Sequence, residues 1–195
     1  MHKQITMSGR SSYIILFACL LVAPLWLTAQ DQQTAKPATP KQQIKWMGFA
    51  EAYNLNKKKP KKIFVDVYTD WCGWCKKMDA TTFQDPEIVK YMNDNFYSVK
   101  MNAEMKDTLV IDGVTFVNPN PNSSRSSHQL AIELLRGKMS YPSYVFLNDK
   151  SQLLTVVPGY QQAKEFEALL HYFAEDAYNG KSWDEFRGSF KGKIE

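Results

Sequence analysis

The order of hydrophobic and polar positions predicts strands and helices in alternation through the first half of the chain. Residues 63–68 form a nearly continuous apolar, β-prone run, which is typical of a central strand buried on both faces. Asp85 followed by Pro86 is a favourable helix start, and residues 96–101 give the next strand. This unit has the length of a βαβ crossover, so we expect its two strands to pair in parallel.

The second half of the chain predicts antiparallel pairing. A hairpin is indicated by the turn Asp112-Gly113 between two apolar runs. The predicted strands span residues 108–111, 114–117, 144–147 and 153–157. The predicted helices span residues 128–135 and 161–178, with a last short helix that starts at a capping box from Ser182 to Glu185.

The N-terminal residues 1–29 have the features of a secretory signal peptide. Lys3 and Arg10 provide positive charge, and the apolar run 13–27 is shorter than the roughly 20 residues of a spanning helix. Ala29 offers a small residue for cleavage. We therefore expect an exported, periplasmic protein, with an uncleaved inner-membrane anchor or a lipoprotein attached at Cys19 as alternatives.

The residues after this segment divide into a tether and one domain. Residues 30–43 are polar and rich in Gln, Thr and Pro, which predicts a flexible linker. Residues 44–195 then form a single domain, because a chain of 195 residues with 44% apolar content is suited to one core. The net charge of +4 is too balanced to argue for a nucleic-acid partner.

The chemistry of the chain centres on Cys72 and Cys75. They follow the apolar strand at the start of a predicted helix. A helix begun at Cys72 would point unpaired N–H groups and its positive dipole end at the first sulfur, which favours a thiolate. Cys75 projects from the same side, within disulfide reach. The spacing therefore predicts a nucleophile, Cys72, and a resolving cysteine, Cys75.

Other uses of a CxxC pair fit the sequence less well. A zinc site needs four ligands, and beyond the pair there are only scattered His128 and His171. Haem attachment needs a His after the second cysteine, where Lys76 stands. Cleavage after residue 29 would also remove Cys19, which leaves a single pair suited to exchange with a partner's disulfide. We expect no metal and no cofactor. His128 is interpreted as a surface or capping residue rather than a catalytic one.

Two charged residues interrupt strands that should be buried. Asp66 lies within the run 63–68, and Lys100 lies within the run 96–101. A buried carboxylate is costly unless it is paired or protonated, so both residues require an explanation.

These elements, in this order around this motif, resemble the thioredoxin superfamily over roughly residues 44–177. The resemblance rests on Trp71 before the first cysteine, Asp66 at the position of the family's buried aspartate, Lys100 near it, the cis-proline turn at Pro142, and Gly159. It implies an α/β thioredoxin fold, in which a central mixed β-sheet is flanked by helices. A hairpin-plus-helix insertion at about 107–137 precedes the cis-proline, and a helical extension occupies about 179–195.

Within the superfamily, residues 68–72 and 82–86 are similar to the C-terminal domain of DsbD-type reductases. The resemblance implies that Asp66 serves as the buried base for Cys75 and that Lys100 moderates its charge. The alternative is an Asp66–Lys100 pair that is only structural. The resemblance predicts that Tyr141 and Pro142 align a substrate segment beside Cys72. Trp71 and Trp74 are expected to give an apolar rim for partner docking or to be plain packing residues, and Gly73 between the cysteines is a further predicted substrate-binding position.

The implied partners are disulfide-containing proteins and a membrane thiol reductant of the DsbD type as electron donor. Gly73-Trp74 replaces the Gly-Pro of thioredoxin and the Pro-His of the strong oxidant DsbA. Without an activating His between the cysteines, reduction or isomerisation is favoured over primary oxidation. The alternative is a non-catalytic polypeptide-binding module in which the cysteines form a structural disulfide.

Overall fold

A five-stranded mixed sheet forms the centre of the fold. The computed structural model describes residues 42–194. The strands of the central sheet are β1 (Trp46–Met47), β2 (Lys62–Tyr68), β3 (Phe96–Asn102), β6 (Ser143–Leu147) and β7 (Leu153–Pro158). A separate two-stranded sheet consists of β4 (Leu109–Ile111) and β5 (Val114–Phe116). The helices are α1 (Phe49–Lys58), α2 (Gly73–Ala80), α3 (Pro86–Asn95), α4 (Gln129–Leu134), α5 (Ala163–Ala174) and α6 (Trp183–Ser189).

The strand order in the central sheet is β1-β3-β2-β6-β7. β2 pairs in parallel with β3 and antiparallel with β6. The parallel crossover and the antiparallel pair β6–β7 are both as the sequence pattern predicts. This arrangement is the thioredoxin fold, and β2 at its centre ends directly before the cysteines.

The two faces of β2 are buried against different helices. Its side chains alternate in direction. Phe64 packs against Phe166 of α5 on one face, whereas Ile63 and Val65 belong to the cluster on the other face with residues of α1 and α4. Asp66 lies two residues after Phe64 and therefore shares its face. The alternation thus places a carboxylate in the aromatic half of the core.

The β4–β5 hairpin turns at the predicted Asp112-Gly113. Both residues have positive φ, 49° and 78°, as a two-residue hairpin turn of this kind requires. Asp112 accepts a hydrogen bond from the Tyr53 hydroxyl (2.6 Å) and pairs with Lys57, both on α1. The hairpin is thereby fastened to the first helix of the fold.

Two expectations from the sequence need correction. The helix predicted over 161–178 is shorter, because α5 ends at Ala174 and Asp176 then takes a left-handed conformation with φ of 57°. A separate 3-10 helix follows at Ala177–Asn179. His128 caps α4, with Nδ1 accepting from the Leu130 N–H (3.2 Å), but it is fully buried rather than on the surface.

The C-terminal extension packs onto the domain through α6 and the residues after it. The predicted capping box of Ser182 and Glu185 is present at its start. Beyond α6, the buried Glu167 carboxylate accepts hydrogen bonds from the N–H groups of Lys193 (2.9 Å) and Ile194 (3.1 Å). These contacts hold the chain end against α5.

The predicted signal peptide (1–29) and nearly all of the predicted linker (30–43) lie outside the described residues. Within residues 42–194, every helix is too short or too polar to cross a membrane.

Candidate active site

The two cysteines form a disulfide at the N-terminus of α2. Their Cα atoms are 5.3 Å apart, and the Cys75 N–H donates to Cys72 Sγ at 3.0 Å. A tight turn after β2 places Cys72 there, since its own N–H donates to the Thr69 carbonyl (3.1 Å). Cys72 caps the helix, and both cysteines are almost fully buried. A thiolate at Cys72 would therefore accept a hydrogen bond that the oxidised form already makes.

Asp66 and Lys100 form an ion pair in which the carboxylate is buried and the lysine partly buried. The Lys100 ammonium lies 2.6 Å from Asp66 Oδ2, and the two residues occupy paired positions of β2 and β3. Burial raises the pKa of Asp66 to about 6, although Lys100 opposes the shift. A carboxyl group with such a pKa can take up and release a proton near neutral pH.

Asp79 is a third member of this charged cluster that the sequence reasoning did not single out. Its carboxylate contacts the Lys100 ammonium from α2, and its negative charge adds to the rise in the pKa of Asp66. Burial opposes the charge of Lys100, yet the two carboxylates outweigh it and raise the pKa of that lysine. The available signal was spacing, since Asp79 follows Cys75 by one helical turn and so shares its side of α2.

Aromatic rings surround the Lys100 ammonium. Its Nζ lies 5.2 Å from the ring centre of Trp46, 4.9 Å from that of Tyr68 and 5.3 Å from that of Phe83. Ring faces attract a cation electrostatically, so this cage supports the charge of the partly buried Lys100.

Further buried polar atoms lie on the β6 side of Asp66. Tyr144 is the residue paired with Asp66 across β2 and β6. Asp66 Oδ1 and the Tyr144 hydroxyl are both buried without a hydrogen-bond partner among residues 42–194. Burial raises the pKa of Tyr144, so its hydroxyl stays protonated. The cluster around Asp66 therefore retains unused hydrogen-bonding capacity.

The predicted cis peptide lies beside the residue that precedes Cys72. The Tyr141–Pro142 bond is cis, and it leads into β6, whose Ser143 pairs with Val67 of β2. The Tyr141 ring meets the Trp71 indole edge to face, with centres 5.7 Å apart. The fold thus brings two predicted substrate-binding positions, far apart in sequence, to the same end of the sheet.

Trp71 and Trp74 are about half exposed, at 52% and 56%. Trp74 packs on Tyr160, with ring centres 5.4 Å apart, and the Lys77 ammonium lies 5.0 Å from the Trp74 ring centre. Gly73 between the cysteines is open to solvent, and a Cβ there would meet nothing within 4 Å. An exposed aromatic rim therefore borders the buried disulfide on two sides.

Two residues outside the cysteine motif, one just after β3 and one in the insertion, supply contacts to this rim that the sequence did not reveal. Glu104, just after β3, accepts a hydrogen bond from Trp71 Nε1 (2.9 Å). The Arg125 guanidinium lies over the Trp71 ring, 5.0 Å from its centre. No local pattern indicates such contacts, because they join residues more than thirty positions apart.

The fold and the site define a class of protein. Residues 49–174 match the family model for the thioredoxin-like domain, and the chain belongs to this family. Within residues 42–194, no three side chains of the His, Cys, Asp or Glu type group together in a way that could hold a metal ion.

Individual relatives agree with this family. The thiol:disulfide interchange protein DsbD of Pectobacterium atrosepticum is 21% identical over 181 residues, which cover 87% of this chain and 28% of that protein. The chain thus spans little more than a quarter of that relative's length.

Two solved structures share the fold. One, titled DsbH Oxidoreductase, superimposes with a TM-score of 0.51 at 18% identity, covering 72% of this chain and 92% of the other. A thioredoxin from Thermus thermophilus gives a TM-score of 0.51 at 16% identity, covering 77% of this chain and all of the other.

Proposed function

We propose that the protein is an exported thiol-disulfide oxidoreductase that reduces or exchanges the disulfides of envelope proteins through Cys72 and Cys75. The observation that carries the proposal is the Cys75 N–H directed at Cys72 Sγ at the start of α2. The same donor and the helix dipole would stabilise a Cys72 thiolate after reduction. The family, and the name of the DsbD relative, support the same reaction class.

The reaction proceeds from the reduced dithiol. The Cys72 thiolate attacks one sulfur of a substrate disulfide, forms a mixed disulfide and expels the other sulfur as a thiolate. The Cys75 thiolate then attacks Cys72 Sγ, which releases the second substrate thiolate and forms the Cys72–Cys75 disulfide. Two electrons pass from the protein to the substrate, and the two expelled thiolates are protonated.

Asp66 acts as the base that deprotonates Cys75, directly or through a water molecule, and Lys100 moderates its charge. The pKa of about 6 supports this role, because a carboxylate of this basicity accepts a proton more readily than an ordinary aspartate. Tyr141 and Pro142 align an extended substrate segment beside Cys72. Trp71, Gly73 and Trp74 form the docking rim.

A second dithiol must restore the reduced form. We infer a membrane thiol reductant of the DsbD type as the donor, since an exported reductase works in an oxidising compartment. The residues between the cysteines, Gly73 and Trp74, place no imidazole beside the Cys72 sulfur. Reduction and isomerisation are therefore the favoured directions.

Trapping of the mixed disulfide tests the mechanism. With Cys75→Ser, the first attack occurs but resolution fails, so a covalent adduct with a disulfide peptide should accumulate and disappear on addition of dithiothreitol. Cys72→Ser should form no such adduct and should lose disulfide reduction. Full reductase activity in Cys72→Ser would overturn the assignment.

A second candidate function is a polypeptide-binding module whose disulfide is only structural. The near-complete burial of both cysteine residues favours it, at 5% and 2% exposure for Cys72 and Cys75. The reduction potential separates the two functions. A value between about −120 and −270 mV fits an exchange enzyme, whereas one below about −300 mV fits an inert disulfide.

A further inference from the structure

One loop of the insertion, residues 118–127, is tied to the edge of the active site through a buried asparagine. Asn118 Nδ2 donates to the Ser126 carbonyl (2.7 Å), and Asn118 Oδ1 accepts from the Ser126 hydroxyl (2.6 Å). The same amide also donates to the carbonyls of Glu104 (3.4 Å) and Met105 (3.3 Å). Asn118 therefore fixes the position of this loop relative to the end of β3.

The loop places Arg125 on the indole of Trp71. The backbone of Arg125 is left-handed, with φ of 63°, a conformation that non-glycine residues adopt rarely and at an energetic cost. Its side chain is exposed and lies over the Trp71 ring, 5.0 Å from the centre. Within residues 42–194, the guanidinium forms neither a hydrogen bond nor an ion pair, so its N–H donors are free for a partner.

The indole under Arg125 is itself held in place. Glu104 accepts from its Nε1 at 2.9 Å, and the Tyr141 ring packs against it. A guanidinium on a fixed aromatic face loses little further freedom on binding. The in-plane N–H groups of such a guanidinium match the two oxygens of a carboxylate.

The second rim tryptophan carries a cation in the same way. The Lys77 ammonium lies 5.0 Å from the Trp74 ring centre and 4.9 Å from that of Tyr160. Asp79, two residues further along α2, is engaged with Lys100 and does not pair with Lys77. A segment that docks beside the disulfide thus meets a positive charge over each tryptophan.

We propose that Arg125 determines specificity by binding a carboxylate beside the reactive cysteine of a partner protein. The partner is then a disulfide-containing protein with Asp or Glu next to that cysteine. The inference rests on the proposed exchange function. Under this inference, the insertion is the element of the enzyme that selects partners.

Three disulfide peptides that differ only in Glu, Gln or Lys beside the cysteine test the proposal. The rate constant for reduction by the reduced protein is measured for each and divided by the rate constant with dithiothreitol, which corrects for intrinsic reactivity. We expect the Glu peptide to react about 1.4-fold to fivefold faster than the Gln peptide, the range for an exposed ion pair, and the Lys peptide to react slowest. The preference should shrink on going from about 0.01 M to about 1 M salt.

Variants at two matched arginines locate the effect. Arg125→Asn should reduce the Glu-to-Gln ratio to about one, because asparagine tolerates the left-handed backbone but lacks the charge. Arg136→Asn is the control: Arg136 is exposed, lies in the same insertion and also has positive φ, 50°, but among residues 42–194 it makes no cation–π contact with Trp71. It should keep the wild-type ratio.

Each outcome bears on one proposal. Equal normalised rates for all three peptides with the wild type would overturn the role of Arg125 and leave the exchange function intact. A Glu preference that persists in Arg125→Asn would also overturn it. If the wild type reduced none of the peptides, the exchange function would fail and this inference with it.

Discussion

Lys100 on β3 binds the carboxylates of two elements at once, Asp66 of β2 and Asp79 of α2. Asp66 stands opposite Lys100 in the parallel register, whereas Asp79 reaches it from the helix that begins at the cysteines. A single ammonium therefore joins the central sheet to α2. The protonation of Asp66 depends on how that ammonium is shared.

Asp66→Asn should stabilise the oxidised protein at high pH. Because the folded state raises the pKa of Asp66 from 3.8 to about 6, its contribution to stability is fully present below pH 3.8 and is lost as the pH rises through 6. Asparagine does not ionise, so the variant does not lose this stability as the pH rises. Its unfolding free energy relative to the wild type should therefore increase from pH 4 to pH 8, by up to about 3 kcal/mol.

Urea unfolding of both proteins across this range provides the measurement. Asp70→Asn, which removes an exposed carboxylate in the turn before the cysteines, is the control. The change between pH 4 and pH 8 should be larger for Asp66→Asn than for Asp70→Asn, because Asp66 is buried and Asp70 is exposed. A pH-independent difference for Asp66→Asn would contradict the raised pKa.

Substitution of Asp79 should lower the pKa of Asp66. Asp79→Asn removes a negative charge that raises this pKa and frees Lys100 to interact with Asp66 alone. Lys100→Met should act in the opposite direction and raise it above 6. Carbon-13 NMR titration of the Asp66 carboxyl group measures both shifts. If the two variants moved the pKa in the same direction, Lys100 would not be the shared partner.

Gly192→Ala should destabilise the protein by about 1–3 kcal/mol, the usual cost of overpacking a filled site. An added Cβ would overlap Glu167 Oε2 and lie 2.9 Å from Glu167 Cδ. That oxygen is buried and accepts from the N–H of Ile194, so it cannot move without losing a hydrogen bond. Thermal or urea unfolding gives the measurement.

Gly188→Ala is the control for that substitution. Gly188 lies within α6, and a Cβ there meets nothing within 4 Å. Alanine should stabilise by about 0.5–1 kcal/mol, because glycine is a poor residue in a helix interior. Equal losses at both positions would show that Glu167 does not restrict Gly192.

Asp112→Ala should loosen the β4–β5 hairpin. It removes the acceptor for Tyr53 and the partner of Lys57, and it places alanine at a φ of 49°. Asp112→Asn keeps a residue that tolerates this φ but loses the charge. Limited proteolysis within residues 107–117 should therefore be slowest for the wild type, faster for the asparagine variant and fastest, by severalfold, for the alanine variant. Equal cleavage rates for the three proteins would show that α1 does not fasten the hairpin.

Much of the fold was predictable because it rests on local or periodic signals. The apolar run of β2, the Asp85 cap before Pro86 and the Asp112-Gly113 turn each encode a structure within a few residues. The place of the cysteines before α2 follows from the same kind of signal. The cis peptide at Pro142 came from family resemblance instead.

Features that depend on tertiary contacts were not predictable from the sequence. The two-residue strand β1 exists through pairing with β3 and has no periodic pattern of its own. The burial of His128 depends on its bond to the distant Asp107 carbonyl (3.0 Å). Asp79 and Arg125 are ordinary charged residues until the fold places Lys100 and Trp71 beside them.

The insertion leaves the central sheet after β3 and returns before β6. Both strands are fixed by their pairing with β2, at Asp66–Lys100 and at Val67–Ser143. A segment joined to the framework at these two points can change in length or sequence while the sheet keeps its alignment. Under the proposed function, partner choice and electron transfer can therefore evolve separately, and exchange of residues 107–137 between relatives offers a route to change the partner without rebuilding the cysteine site.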